Sequence, residues 1–156
     1  MSSDRLVPDF YRALRDKSQL IIRSPNSIRP WQHVLEPLHG YLLLAQSLWQ
    51  KPKKFSSAWN FGPGSNVCVT VQELLNLLCS IAVEEPIISV SESAFKEASF
   101  LTLDSQKAEK HLRWRNYLPL ISVLKLVNEY EQRPTKDGSA YNTISSQIER
   151  YLRDIE

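Results

Sequence analysis

Ile28-Arg29-Pro30-Trp31-Gln32-His33-Val34-Leu35-Glu36-Pro37-Leu38 decides how this chain is read. A residue before proline is pushed out of the helical region, so the stretch from Ile28 to Val34 is expected to run extended. Pro37 suits the first turn of a helix, where its missing N–H takes nothing from the backbone ladder. Behind it, Leu38, Tyr41, Leu42, Ala45, Leu48 and Trp49 recur on one helical face. The basic stretch Lys51-Pro52-Lys53-Lys54 ends that helix.

Working outward, Leu6, Phe10 and Leu14 repeat at helical spacing, with Pro8 tolerable in the first turn. Leu20-Ile21-Ile22 reads as a strand closed by the turn Ser24-Pro25-Asn26. On the other side, Ala58-Trp59-Asn60-Phe61 reads as a strand and Gly62-Pro63-Gly64-Ser65-Asn66 as the loop after it. Thr70 and Glu73 stand at capping-box spacing before a helix with Val71, Leu74, Leu75, Leu78 and Ile81 on one side. Pro86 precedes a strand, Ile87 to Val90; Phe100 to Leu103 is another, and Asp104 caps a short helix to Leu112. Pro119 opens a helix with Leu120, Val123, Leu124, Val127 and Tyr130 apolar. Residues 134–138, Pro134 to Gly138, form a linker before a C-terminal helix carrying Ile144, Ile148, Tyr151, Leu152 and Ile155. The expected class is α+β, helices with a few short strands. The strands are too few for a doubly wound sheet, so no Rossmann core is expected. The chain reads as part of something larger.

A length of 156 residues suits one compact domain, 1–156, with a real core. Nineteen basic residues against 17 acidic give a net charge of +2, which offers no footing for nucleic acid or an acidic membrane. Cys68 and Cys79 have no histidine at zinc spacing, so two free, partly buried thiols in a reducing compartment are expected, and no metal. The opening Met-Ser-Ser-Asp-Arg lacks a secretory pattern, and the longest apolar run, Tyr41 to Ala45, is too short to span a bilayer. The expected location is the cytoplasm.

Arg29-Pro30-Trp31-Gln32-His33 gathers a guanidinium, an indole and an imidazole after a turn. Two readings are open for Arg29: paired N–H donors for a phosphate, held by a rigid proline, or a strand-edge cation paired with an acid. Arg5 is either a second donor near a helix N-terminus or an exposed charge at a frayed end. Asn60, in an otherwise apolar segment, needs partners if buried, and either a ligand or a backbone group supplies them. Gly62-Pro63-Gly64 is a turn and not a dinucleotide loop, because Pro63 removes an N–H that such a loop aims at phosphate. With glycines only at 40, 62, 64 and 138, no Gly-x-x-Gly-x-x-Gly fits, and no tyrosine is followed four residues later by lysine. His33, His39 and His111 are scattered. No catalytic residue is expected in this chain.

The chain resembles the C-terminal half of the extended short-chain dehydrogenases/reductases, the NAD-dependent epimerase/dehydratase family. The resemblance rests on Asp4-Arg5-Leu6-Val7-Pro8-Asp9, on Ile21 to Leu38, and on Gly40 to Ala45 and Trp59-Asn60-Phe61-Gly62-Pro63. Lys96-Glu97-Ala98 and Leu101 to Ala108 agree more loosely. The run from Ile28 to Leu38 favours the dehydratases of CDP-linked glucose. The resemblance implies a family that binds NAD on an N-terminal Rossmann domain, which also carries Tyr-x-x-x-Lys, and grips the nucleotide diphosphate with its C-terminal half. It implies diphosphate contacts for Arg5 and Arg29, a nucleotide pocket lined by Leu6, and Asn60 close by. The implied ligand is a nucleotide-diphosphate sugar like CDP-glucose, with no cofactor held by this chain itself. A separately encoded Rossmann-domain partner, self-association, and a repurposed interaction module are the further expectations. Two departures stand out. Lys96-Glu97-Ala98-Ser99 replaces the subfamily's His-Glu-Ala-His, and Leu112-Arg113-Trp114 sets a non-glycine residue where the family has Leu-Gly-Trp at a helix end.

Overall fold

The computed structural model describes residues 5–64, 68–82, 84–91, 98–134 and 136–155. The elements run α1 (Leu6–Asp16), β1 (Gln19–Ile22), β2 (Ile28–Pro30), α2 (Leu35–Gln50), α3 (Pro52–Phe55), β3 (Cys68–Thr70), α4 (Val71–Ile81), β4 (Ile87–Val90), α5 (Gln106–Leu112), α6 (Leu120–Glu131) and α7 (Ser139–Ile155). Length suggested one compact domain; the chain gathers into two compact units, Met1–Arg29 with Val69–Leu101, and Pro30–Cys68 with Thr102–Glu156. Each unit is therefore built from two separated stretches of sequence.

In the first unit, α1 starts where Arg5 is extended, and the Asp9 carboxylate accepts the Arg5 N–H at 2.8 Å, satisfying an orphan donor. Phe10, Tyr11 and Ala13 turn inward. β1 pairs in parallel with β4, Gln19 opposite Ile87 through Ile22 opposite Val90. Leu20 and Ile22 are buried while Ile21 points out, the period-two pattern of a half-covered strand. α4 carries the capping box read from Thr70 and Glu73, and buries Leu74, Leu75 and Leu78. The strand expected over Phe100–Leu103 does not form. Phe100 makes one parallel bridge to Ile28, and the chain then turns irregular. β2 pairs with β3 in a second two-stranded sheet.

In the second unit, α2 begins two residues before Pro37, because Val34 already has helical angles. Its expected inward face is largely outside. Trp49 is 90% exposed and Leu42 71%, with Leu38 and Tyr41 also exposed. The buried side is instead Glu36 and Gly40, with Leu43, Leu44 and Leu48 packed on a cluster of Phe55, Phe61, Ala108, Leu112 and Trp114. Pro52 opens the one-turn α3, which the basic stretch concealed. A second cluster joins Leu118 and Val123 of the α6 end to Tyr151 of α7. The linker around 134–138 lies between those helices, with residue 135 outside the described set.

The strand expected over Ala58–Phe61 is also absent, and the reason lies in where its polar groups go. Trp59 stacks on Phe55 and donates its indole N–H to the Phe55 carbonyl at 2.9 Å. Lys107 donates to the Ala58 carbonyl, and Gln32 donates its side-chain amide to the Phe61 carbonyl. Side chains take the carbonyls that a ladder would have used.

Candidate functional site

Arg5 and Leu6 sit together at the start of α1, Arg5 exposed and Leu6 half-buried, and Arg29 lies half-buried on β2 in the same unit. The Arg29 guanidinium donates through Nη1 to the carbonyls of Ile28 at 3.0 Å and Ala98 at 2.7 Å. Two carbonyls therefore help to fix the orientation of the fork on β2. Asn60 belongs to the second unit and is exposed. Its amide donates to the Asp104 carbonyl at 3.3 Å, the backbone partner that the sequence left open. Asp4, Ser65, Asn66, Lys96 and Glu97, all used in the sequence reading, lie outside the described residues.

The Gly62-Pro63-Gly64 turn is held by one hydroxyl. Ser105 Oγ accepts the Gly62 N–H at 2.7 Å and donates to the Gly62 carbonyl at 3.1 Å. A Cβ on Gly62 would lie 2.5 Å from that of Leu103, so the close approach requires glycine. Asp104 does not cap α5 directly. Its carboxylate accepts the Gln106 N–H, and Ser105 occupies the cap position.

The sequence reading passed over Glu36, which has no exposure at all. Its Oε1 accepts the N–H groups of Tyr117 and Leu118, at 2.9 and 2.7 Å, and its Oε2 accepts the Tyr151 hydroxyl at 2.9 Å. Its backbone carbonyl accepts the Trp114 indole N–H. His39 Nδ1 lies 3.4 Å from the same hydroxyl. Burial, then the neighbouring Glu36, hold the Tyr151 phenol protonated well above its usual range. Burial lowers the His39 pKa while Glu36 partly opposes it, and burial lowers that of His33. A glutamate one residue before a helix-opening proline was the available signal. This arrangement holds α2, the 114–118 segment and α7 together, with the Glu36 carboxylate and the Tyr151 side chain buried inside it.

Cys68 and Cys79 are free and half-buried, as read, and burial raises the Cys79 thiol further from its reactive form. Among the described residues, no group of three or more His, Cys, Asp or Glu is placed to hold a metal ion. No helix among them is long and apolar enough to cross a membrane.

No family model matches the chain. Its fold is similar to that of UDP-glucuronic acid 4-epimerase from Bacillus cereus, solved with UDP-glucuronic acid and NAD, at a TM-score of 0.66, with 14% identity over 92% of this chain and 40% of that one. MoeE5 in complex with UDP-glucuronic acid and NAD gives 0.62, with 19% identity over 80% of this chain and 40% of that one. RMD from Pseudomonas aeruginosa complexed with NADPH gives 0.61, with 16% identity over 78% and 40%. These likenesses define the fold: a mix of helix and strand similar to part of each of those larger chains. Sequence narrows it. CDP-glucose 4,6-dehydratase of Salmonella typhimurium (strain LT2) is 42% identical over 114 residues, 72% of this chain and 32% of that protein. The chain is thus a relative of the NAD-dependent epimerase/dehydratases and spans about a third of the length of the dehydratase it matches.

Proposed function

We propose that the chain holds a nucleotide-diphosphate sugar, CDP-glucose or a close analogue, and does not turn it over alone. The 42% identity to CDP-glucose 4,6-dehydratase carries this reading, because it covers most of the chain. The chemistry of Arg29 supports it: a guanidinium's paired donors suit a pyrophosphate, the Ile28 and Ala98 carbonyls orient this one on β2, and Arg5 supplies a second cation in the same unit. Leu6 lines the nucleotide. NAD and the groups that move hydride belong to the part of the dehydratase that this chain does not span.

A second reading adds a partner. The exposed face of α2, with Leu38, Tyr41, Leu42 and Trp49, is the kind of apolar surface that another protein covers. A separately encoded Rossmann-domain protein would seat there and supply NAD. Without it the face drives self-association.

Thermal and urea unfolding with added CDP-glucose test the first reading. Ligand at 100 times its dissociation constant should stabilise the first unit by about 2.7 kcal/mol. Arg29→Ala should weaken binding roughly tenfold or more, the loss of one charge-assisted contact, whereas Lys110→Ala should not. No stabilisation at millimolar CDP or CDP-glucose overturns it, and dehydratase activity from this chain alone overturns the second half of the claim.

A further inference from the structure

β4 contains neither a charge nor a proline, and three of its four side chains are exposed: Ile87 at 69%, Val90 at 62% and Ile88 at 37%. Its backbone shows which edge is open. The Ser91 N–H donates to the Ile22 carbonyl at 2.9 Å. Alternate residues of a strand turn their backbone groups to the same side, so Ser89 faces β1 as Ser91 does, while Ile88 and Val90 face away. No described residue meets the N–H or C=O of Ile88 or Val90 on that side, and β1 is the one strand paired with β4 among them. Natural edge strands are ordinarily blunted by a lysine, a proline or a bulge, and Ile87–Val90 has none of these.

From these observations we propose that β4 pairs antiparallel with β4 of a second copy of this chain, about a twofold axis at Ser89. In that register Ile88 of one copy exchanges two hydrogen bonds with Val90 of the other, and the reverse, so every outward backbone group of the two residues gains a partner. The exposed side chains of Ile88 and Val90 then face each other as an apolar cross-strand pair, repeated by the symmetry. Charge selects the direction. Glu84 and Glu85 precede β4 and are exposed; antiparallel pairing holds the acids of the two copies at opposite ends, where parallel pairing would set them side by side. The product is a four-stranded sheet, β1-β4-β4-β1, with the same patch used by both copies. β4 belongs to the first unit and holds no proposed nucleotide-sugar contact, whereas the apolar face of α2 belongs to the second.

Sedimentation velocity of the 156-residue chain tests it over roughly 0.01–1 mM, the range in which so small a contact associates. The mass should climb toward that of a dimer. Val90→Pro removes an outward N–H without touching the β1 ladder, and Ser89→Lys sets two ammonium groups against each other on the axis. Each should weaken association by about tenfold or more. Self-association through α2 alone would persist unchanged in both variants, which separates the two contacts. Ser89→Cys should yield a disulfide-linked dimer on mild oxidation, because Cα atoms paired at such a non-hydrogen-bonded position lie about 4.5 Å apart, within reach of the bond. The wild-type chain, with Cys68 and Cys79 half-buried, should not. A monomer at every concentration, association unchanged in both Val90→Pro and Ser89→Lys, or no cross-link from Ser89→Cys would each overturn the proposal.

Discussion

Glu36 accepts hydrogen bonds from two backbone N–H groups and one phenol hydroxyl in a place without water. Glu36→Ala removes all three acceptor contacts and leaves Tyr117 N, Leu118 N and the Tyr151 hydroxyl unsatisfied. Urea unfolding should register a loss of about 3–5 kcal/mol. Glu36→Gln keeps one carbonyl oxygen for the backbone pair and should cost far less. Arg113 presents the opposite case. It closes α5 in the left-handed region, at φ 55°, where a side chain is strained and glycine is at ease. Arg113→Gly should stabilise the chain by about 0.5–1 kcal/mol, after subtracting glycine's greater freedom when unfolded, whereas Arg113→Ala should bring no gain. The strain at Arg113 could be foreseen, since a helix ends there. Glu36 left only the faint signal of its place beside Pro37, because a glutamate in a first turn is ordinarily solvated.

Elements with their own local signal were legible. The capping box of α4, the apolar run of β1 and the proline-led α6 all depend on neighbours in sequence. Strands needing a distant partner were not: Ala58–Phe61 and Phe100–Leu103 have the right residues for strands but no ladder, since side chains claim the carbonyls of the former. α2 was found, yet its apolar stripe faces outward and its inner side is held close by Gly40. A Cβ at Gly40 would collide with the ring of Phe61, which is itself packed edge-on against Trp114 and has little room to yield. Gly40→Ala should therefore destabilise the second unit by about 1–3 kcal/mol, the usual effect of overpacking, despite alanine's better helix propensity. Thermal unfolding followed by tryptophan fluorescence reads this directly. Of the candidate site, Arg29 and Asn60 were legible as polar residues in apolar surroundings. The carbonyls that steady them come from Ala98 and Asp104, far along the chain, and no local pattern announces them.

For the whole molecule, pH adds a test. His33 and His39 have pKa values lowered by burial from the ordinary 6.5, so the unfolded chain takes up these protons first as pH falls. Stability from this source is complete above about pH 6.5 and is lost below it. The slope is at most about 1.4 kcal/mol per pH unit for each imidazole. Urea unfolding between pH 7.5 and 5.5, above the ordinary carboxylate range, should show the decline, and His33→Gln should flatten it. Constant stability across that interval would contradict the sign. The division into two units was hidden from the sequence because each is stitched from separated stretches. That stitching sets an order on the ribosome. The last stretch of the first unit ends at Leu101, but the phenol that closes Glu36's shell lies 115 residues beyond it in the chain. The first unit can settle while synthesis continues. The second carries an open carboxylate until α7 clears the exit tunnel, so a stop codon anywhere before Tyr151 would leave Glu36 without its phenol partner however much of the chain had been made.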